Sequence, residues 1–172
     1  NNLSALSSDY QNHIISRYKN AEVPLLDANS GFEPRTFDEE VYKRWEKINR
    51  GPWRFAYDDQ GDGPHVERVM KMLINEPKSK KRVYVLIGNE PFESCMDRIY
   101  RVISWGGEPY VQPVMKLNAL NKKPWVRHDW TAQKLKDVAR WCNGWVWRKA
   151  SFNEYNRTIK KLTINNEDLF RK

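Results

Sequence analysis

The sequence predicts an α/β domain with a mostly parallel sheet and helices packed on it. Three observations carry this. Strand-like runs and amphipathic stretches alternate four times over, the rhythm of strands joined by helical crossovers. The run Val83-Tyr84-Val85-Leu86-Ile87-Gly88 is continuously apolar, the mark of a strand covered on both faces. Gly51-Pro52, Pro64 and Gly106-Gly107 stand where one segment gives way to the next.

The elements follow in order. Residues 4–19 read as a helix, with Leu6, Tyr10, Ile14 and Tyr18 four apart on one face. Val23-Pro24-Leu25-Leu26 reads as a short edge strand, because Pro24 cannot donate to a ladder. Thr36 and Glu39 match a capping box, and Val41, Trp45 and Ile48 make the stripe of the helix it opens. Residues 53–57 alternate as a strand. Pro64 then begins a helix with Val66, Val69, Met70 and Leu73 inward. After the strand at 83–88, a helix carries Met96, Ile99, Tyr100 and Ile103 inward. Tyr110-Val111-Gln112-Pro113-Val114 is the last clear strand. Beyond Leu117 the pattern changes: residues 118–128 are polar, and 131–142 read as a helix with Leu135, Val138, Ala139 and Cys142 inward. A further short helix is expected at 152–159. We therefore expect an α/β unit over 1–117 and a basic, Trp-rich helical extension over 118–172.

Charge divides the same way. The net +8 is carried wholly by residues 116–172, which hold 14 Lys and Arg against 5 Asp and Glu. An acidic partner such as nucleic acid would be met there. No apolar run approaches the ~18 residues of a spanning helix. Residues 1–4 have no basic or apolar leader, and the two cysteines form no disulfide framework, so a cytoplasmic protein is expected. The missing initial Met and the immediate helical pattern point to a trimmed or incomplete reading frame.

In a parallel sheet, ligands gather at the C-terminal strand ends. Four polar or Gly-rich segments fall there: 27–31, 58–61, 88–90 and 115–116. The bland account is that strand ends need loops and loops are polar. The loop 58–63 fails as a calcium site, since its twelfth place is Val69 rather than Glu. His13, His65 and His128 lie in unrelated segments, and no nucleophile elbow or phosphate loop is present. In the last third, Trp125, Trp130, Trp141, Trp145 and Trp147 interleave with Lys122, Lys123, Arg127, Arg140, Arg148 and Lys149. Such a pattern can stack and neutralise single-stranded nucleic acid, although amphipathic core is the plainer account of the tryptophans.

The order and spacing of several segments between Asp27 and Tyr155 resemble a group of radical S-adenosylmethionine (SAM) proteins. Asn29-Ser30-Gly31-Phe32-Glu33-Pro34-Arg35 is similar to the loop after that group's third barrel strand, and Trp53-Arg54-Phe55-Ala56-Tyr57-Asp58-Asp59 to its fourth. Residues 83–88 with Glu90 and Glu93 resemble the fifth, and 109–114 the sixth. Ala139-Arg140-Trp141-Cys142-Asn143, Trp147 and Ser151-Phe152-Asn153-Glu154-Tyr155 resemble its closing tail. Asn1-Asn2-Leu3 resembles the end of its second strand.

The resemblance implies an incomplete TIM-like (β/α) barrel of about four parallel strands. It implies part of a SAM pocket at Asn29, Tyr57, Asp58, Asp59, Gly88 and Asn89, with Gln112, and adenine beside Ile87-Gly88. The family's four-iron cluster needs Cys-x3-Cys-x2-Cys, which this sequence lacks. A 4Fe-4S cluster is thus expected only in a full-length parent, and this chain alone is expected to be inactive. A homodimer is expected to cover the open barrel edge. The alternative function is a nucleic-acid-binding module using Lys122, Lys123, Arg127 and Trp125.

Overall fold

The computed structural model describes residues 2–116, 118 and 123–156. Ser7 opens the first helix, α1 (Ser8–Asn20), by accepting from the Tyr10 amide. Its buried side chains are Gln11 and Ile15, while Tyr10 is exposed, so the four-residue stripe expected there is displaced around the helix. The reason is polar. The Gln11 amide oxygen accepts from Trp45 Nε1 at 2.9 Å and Arg44 Nη1 at 3.0 Å, and its nitrogen donates to the Leu6 carbonyl.

The second helix, α2 (Glu39–Trp45), is capped by Asp38 rather than Thr36. The Thr36 hydroxyl instead bonds Ser4 and the Glu33 carbonyl. A three-stranded parallel sheet follows: β1 (Trp53–Tyr57), α3 (Gly63–Met72), β2 (Lys81–Ile87), α4 (Phe92–Ser104) and β3 (Glu108–Pro113), in the spatial order β1-β2-β3. The last long helix is α5 (Ala132–Asn143). Residues 152–156 are helical, and the rest of the helix expected at 152–159 lies outside the described residues.

The expectation of about four strands in a partial TIM-like barrel is overturned. The sheet has three strands and is open. The segment expected as a fourth strand, 23–26, makes a single bridge, Leu25 to Asn49, and the loop after it makes another, Phe32 to Phe55. Pro24 has no amide to donate, Glu22 enters the segment at φ 54, and Gly31 turns the chain at φ 69, so extended pairing cannot propagate.

Alternation gives the sheet two unlike faces. Trp53, Phe55, Tyr57, Val83, Val85, Ile87 and Val111 are buried on the helix-packed side. α3 and α4 each lay an apolar stripe there; Val66, Val69, Met70 and Leu73 are all buried, as are Met96, Ile99 and Val102. The inward side of α4 is rotated from expectation, for Tyr100 is 42% exposed while Cys95 and Arg98 are buried. The β1 end is closed by aromatic packing, with the Phe32 ring 5.2 Å from both Phe37 and Trp53 and 5.6 Å from Trp45. The other face carries Arg54, Ala56, Tyr84, Leu86, Tyr110 and Gln112. It is half-open, so the apolar run 83–88 is not a strand covered equally on both sides.

The sheet edges are dressed within the chain. The Phe32 amide donates to Arg54 O at 2.7 Å beside β1. Beside β3, the Asn143 side chain accepts from Val111 N at 2.8 Å and donates to Val111 O at 3.0 Å, as a neighbouring strand would. Among the described residues, no helix is long and apolar enough to cross a membrane.

Candidate functional site

At the C-terminal end of β1 the half-open face deepens into a cleft of about 380 Å³. Its walls are the loop Asn29-Ser30-Gly31, Arg54 and Ala56 of β1, Tyr84 of β2, Tyr110 and Gln112 of β3, and Asp58. A second hollow of about 240 Å³ shares Asn2, Ala56 and Asp58 with it, and adds Glu33, Arg35, Asp59 and Asp62. Asp58 therefore stands where two concave surfaces meet.

Three features shape the chemistry. First, Asp58 carries no hydrogen bond or ion pair on its carboxylate among the described residues, and its backbone is held instead. Partial desolvation raises its carboxyl above the ordinary value. Asp62 pushes the same way, the Arg98 guanidinium opposes, and Asp59 and Glu33 add to the rise. A perturbed acid in a cleft marks a candidate functional group, and Asp58 remains open to solvent. Second, the Arg54 guanidinium spans the wall. It donates to Asp27 at 2.7 Å, to the Tyr84 hydroxyl at 2.9 Å and to Asn29 at 3.4 Å, leaving its buried Nε without a partner. Third, the Tyr84 and Tyr110 rings lie 5.2 Å apart, giving the face an aromatic surface.

Of the residues expected at the pocket, Asn29, Asp58 and Gln112 line the main cleft, and Asp59 lines the adjoining hollow. Asp59 also caps the turn after it, accepting from Gly61 N at 2.8 Å. Tyr57, Gly88 and Asn89 lie elsewhere. Tyr57 is odd-numbered in β1, so its ring is buried under the helices against Trp105. Gly88 has φ 89, and a Cβ there would meet Leu135 at 3.2 Å and Val114 at 3.3 Å; it is a packing glycine. Ile87 beside it is fully buried. Asn89 braces the rim, donating to Asp58 O at 2.7 Å.

Arg98 holds that rim from below and has no simple signal in the sequence, where it interrupts an apolar helix stripe. It is fully buried, and donates to Tyr57 O at 2.6 Å, Leu86 O at 2.8 Å and Asn89 Oδ1 at 3.2 Å. Glu90 balances its charge at 3.0 Å. Arg54, Tyr84 and Tyr110 were also missed as cleft residues. Their even spacing against buried neighbours was the available signal.

The basic extension divides. Trp130 and Trp141 are core, with their indole nitrogens on the carbonyls of Glu90 and Ala150. Trp125 and Trp145 are exposed. Lys123 and Arg127 are exposed beside Trp125, while Lys122 lies outside the described residues.

The donor set does not fit an iron–sulfur cluster. Cys95 and Cys142 are buried singly on α4 and α5, and no group of three His, Cys, Asp or Glu residues suited to a metal occurs among the described residues. The cleft does fit a nucleoside-sized ligand. Its volume reaches the lower range of small-molecule sites, it is walled by the Arg54 guanidinium and by the Asp58 carboxylate, which has no partner among the described residues, and it offers two aromatic rings. Compared with protein-family models, curated proteins and solved structures, the chain finds no match.

Proposed function

We propose that this chain forms the S-adenosylmethionine-facing part of a radical SAM enzyme, with the cluster-binding cysteines contributed by a segment outside this sequence. The observation that carries the reading is the meeting of Asn29 from the loop beside β1, Asp58 from just past β1 and Gln112 from the end of β3 around one cleft. Asp58 and Gln112 hold the ribose hydroxyls and Asn29 meets the methionine end. The adenine lies against Tyr84 and Tyr110 rather than beside Gly88, whose surroundings are filled. The cluster would supply the electron that splits the sulfonium; this chain's residues bind and orient the ligand, and the chain alone does not turn it over.

Equilibrium dialysis with S-adenosylmethionine tests the reading. Saturable binding is expected, displaced by S-adenosylhomocysteine and weakened about tenfold by Asp58→Ala or Gln112→Ala, the loss of one or two hydrogen bonds to a polar ligand. Folded protein that binds nothing at about millimolar ligand sinks the proposal. So does binding that both substitutions leave unchanged.

A further inference from the structure

We propose that Trp125, with Lys116, Lys123 and Arg127, forms a binding site for single-stranded nucleic acid beside the C-terminal end of β3, with Trp125 as the stacking residue. Met115 and Pro124 form an antiparallel bridge, and the Trp125 amide donates to Val114 O at 2.8 Å. This pins Trp125 just past the strand end that carries Gln112. The ring is 37% exposed and is flanked by cations. The Arg127 guanidinium lies 4.4 Å from its centroid and Lys116 Nζ lies 5.5 Å away. Lys123, two residues before Trp125, is exposed as well.

Both cations stand over the indole, so an exposed aromatic surface and positive charge are presented together. Met115 and Val126, near it along the chain, are also exposed, at 49% and 45%. What the occupant must be follows from charge. Asp129, the acidic residue nearest in sequence, is engaged: its carboxylate accepts from the Phe92 amide at 2.8 Å and sits 3.7 Å from Lys134. Lys116, Lys123 and Arg127 make no ion pair among the described residues, and they lie in the part of the chain that holds the whole net positive charge. A flat aromatic ring beside several cations matches a nucleobase joined to phosphates: the base stacks on the indole and the cations neutralise the backbone. An acidic peptide would satisfy the cations and leave the ring uncovered. The inference does not rest on the S-adenosylmethionine reading, since none of Lys116, Lys123, Trp125 and Arg127 lines that cleft.

Fluorescence anisotropy of labelled oligo(dT) and oligo(U) of roughly 12 nucleotides, with the full chain, tests it. Saturable binding is expected. With about three phosphates neutralised, affinity should fall roughly tenfold or more between about 50 and about 200 mM salt. Trp125→Ala should weaken binding at least about fivefold, the lower end for one stacked base. Arg127→Glu and Lys116→Glu, exposed substitutions that leave the core untouched, should do the same and guard against misfolding of the Trp125 variant. Trp145→Ala removes the other exposed, arginine-flanked indole and should change nothing. An abasic oligomer of equal length should bind several-fold more weakly. Equal binding of the abasic strand, heparin or anionic vesicles would overturn the proposal. So would indifference to both Trp125→Ala and the charge reversals, or no saturable binding at all.

Discussion

The side-chain amide of Asn89 donates to the backbone carbonyl of Asp58 at 2.7 Å, so the loop after β2 holds the residue that follows β1. Asn89 is itself gripped twice: Arg98 donates to its side-chain oxygen at 3.2 Å, and His128 Nε2 lies 2.9 Å from its backbone carbonyl. Replacing Asn89 by Ala removes the tie without touching the cleft wall. We expect about 2–4 kcal/mol of lost stability, because the bond to Asp58 and the charge-assisted bond from Arg98 go together. The affinity for S-adenosylmethionine should also fall several-fold, through displacement of Asp58. Urea denaturation and dialysis measure the two separately.

Arg98→Met should also be severe. It leaves the carbonyls of Tyr57 and Leu86 without this donor and strands the Glu90 carboxylate. A broken buried pair costs about 3–5 kcal/mol; the low end applies, because the Glu90 side chain is 26% exposed. The double variant Arg98→Met/Glu90→Gln should recover part of the loss. A stability equal to wild type in the single variant would show that the clamp is dispensable.

Asp58 gives a pH signature with a definite sign. Its folded carboxyl titrates above the ordinary value, chiefly through desolvation, so the folded state binds this proton more tightly than the unfolded state. The associated stabilisation is complete at low pH and is lost as pH rises through the folded value. Asp58→Asn should therefore be more stable than wild type at neutral pH, by under about 1 kcal/mol because solvent screens the site. The gap should close once pH falls below the ordinary carboxylate range. Thermal unfolding across pH reads both limbs, and a gap independent of pH would contradict the assignment.

Asn143→Ala should expose the outer edge of β3. Two hydrogen bonds to Val111 disappear together, costing about 1–3 kcal/mol. The bared strand edge should also raise the fraction of associated species in light scattering. A destabilised variant with unchanged association would assign Asn143 to packing alone.

Burial pushes the Cys142 thiol up to about 12, against the opposing hydrogen bond from the Val111 backbone. Cys95 is equally shut from solvent. An aromatic disulfide reagent at mildly alkaline pH should find neither thiol in the native protein and both after denaturation. Rapid native labelling would reveal opening of α4 or α5.

Much of the frame was legible in the sequence, because long periodic runs survive tertiary context. The stripe Val66, Val69, Met70 and Leu73 and the three strands around Phe55, Val85 and Val111 are where periodicity places them. What was lost turns on single polar residues and on which face an alternating side chain takes. Thr36 matched a cap, but Asp38 lay nearer the first helical amides and took the role. Tyr57 looked like a pocket residue at a strand end, yet its parity with Trp53 and Phe55 sends it into the core. Arg98 was hidden because an apolar helix stripe seldom contains a charge, and its partners lie on three separate segments. The stretch near Leu25 has strand composition, but composition carries no account of Pro24's missing donor or the turn at Gly31.

The unequal faces of the sheet have a consequence for how such a chain can change. In β1 and β2 the odd positions 53, 55, 57, 83, 85 and 87 are committed to packing, while the even positions 54, 56 and 84 border the cleft. In β3 the parity is the same, with Val111 inward and Tyr110 and Gln112 outward. A library restricted to the even positions would vary what the cleft accepts while leaving the interior chemistry alone. Substitutions at the odd positions would be filtered by folding before any ligand was met. Selectivity and foldability are thus written on alternate residues of the same strands, and each can drift without the consent of the other.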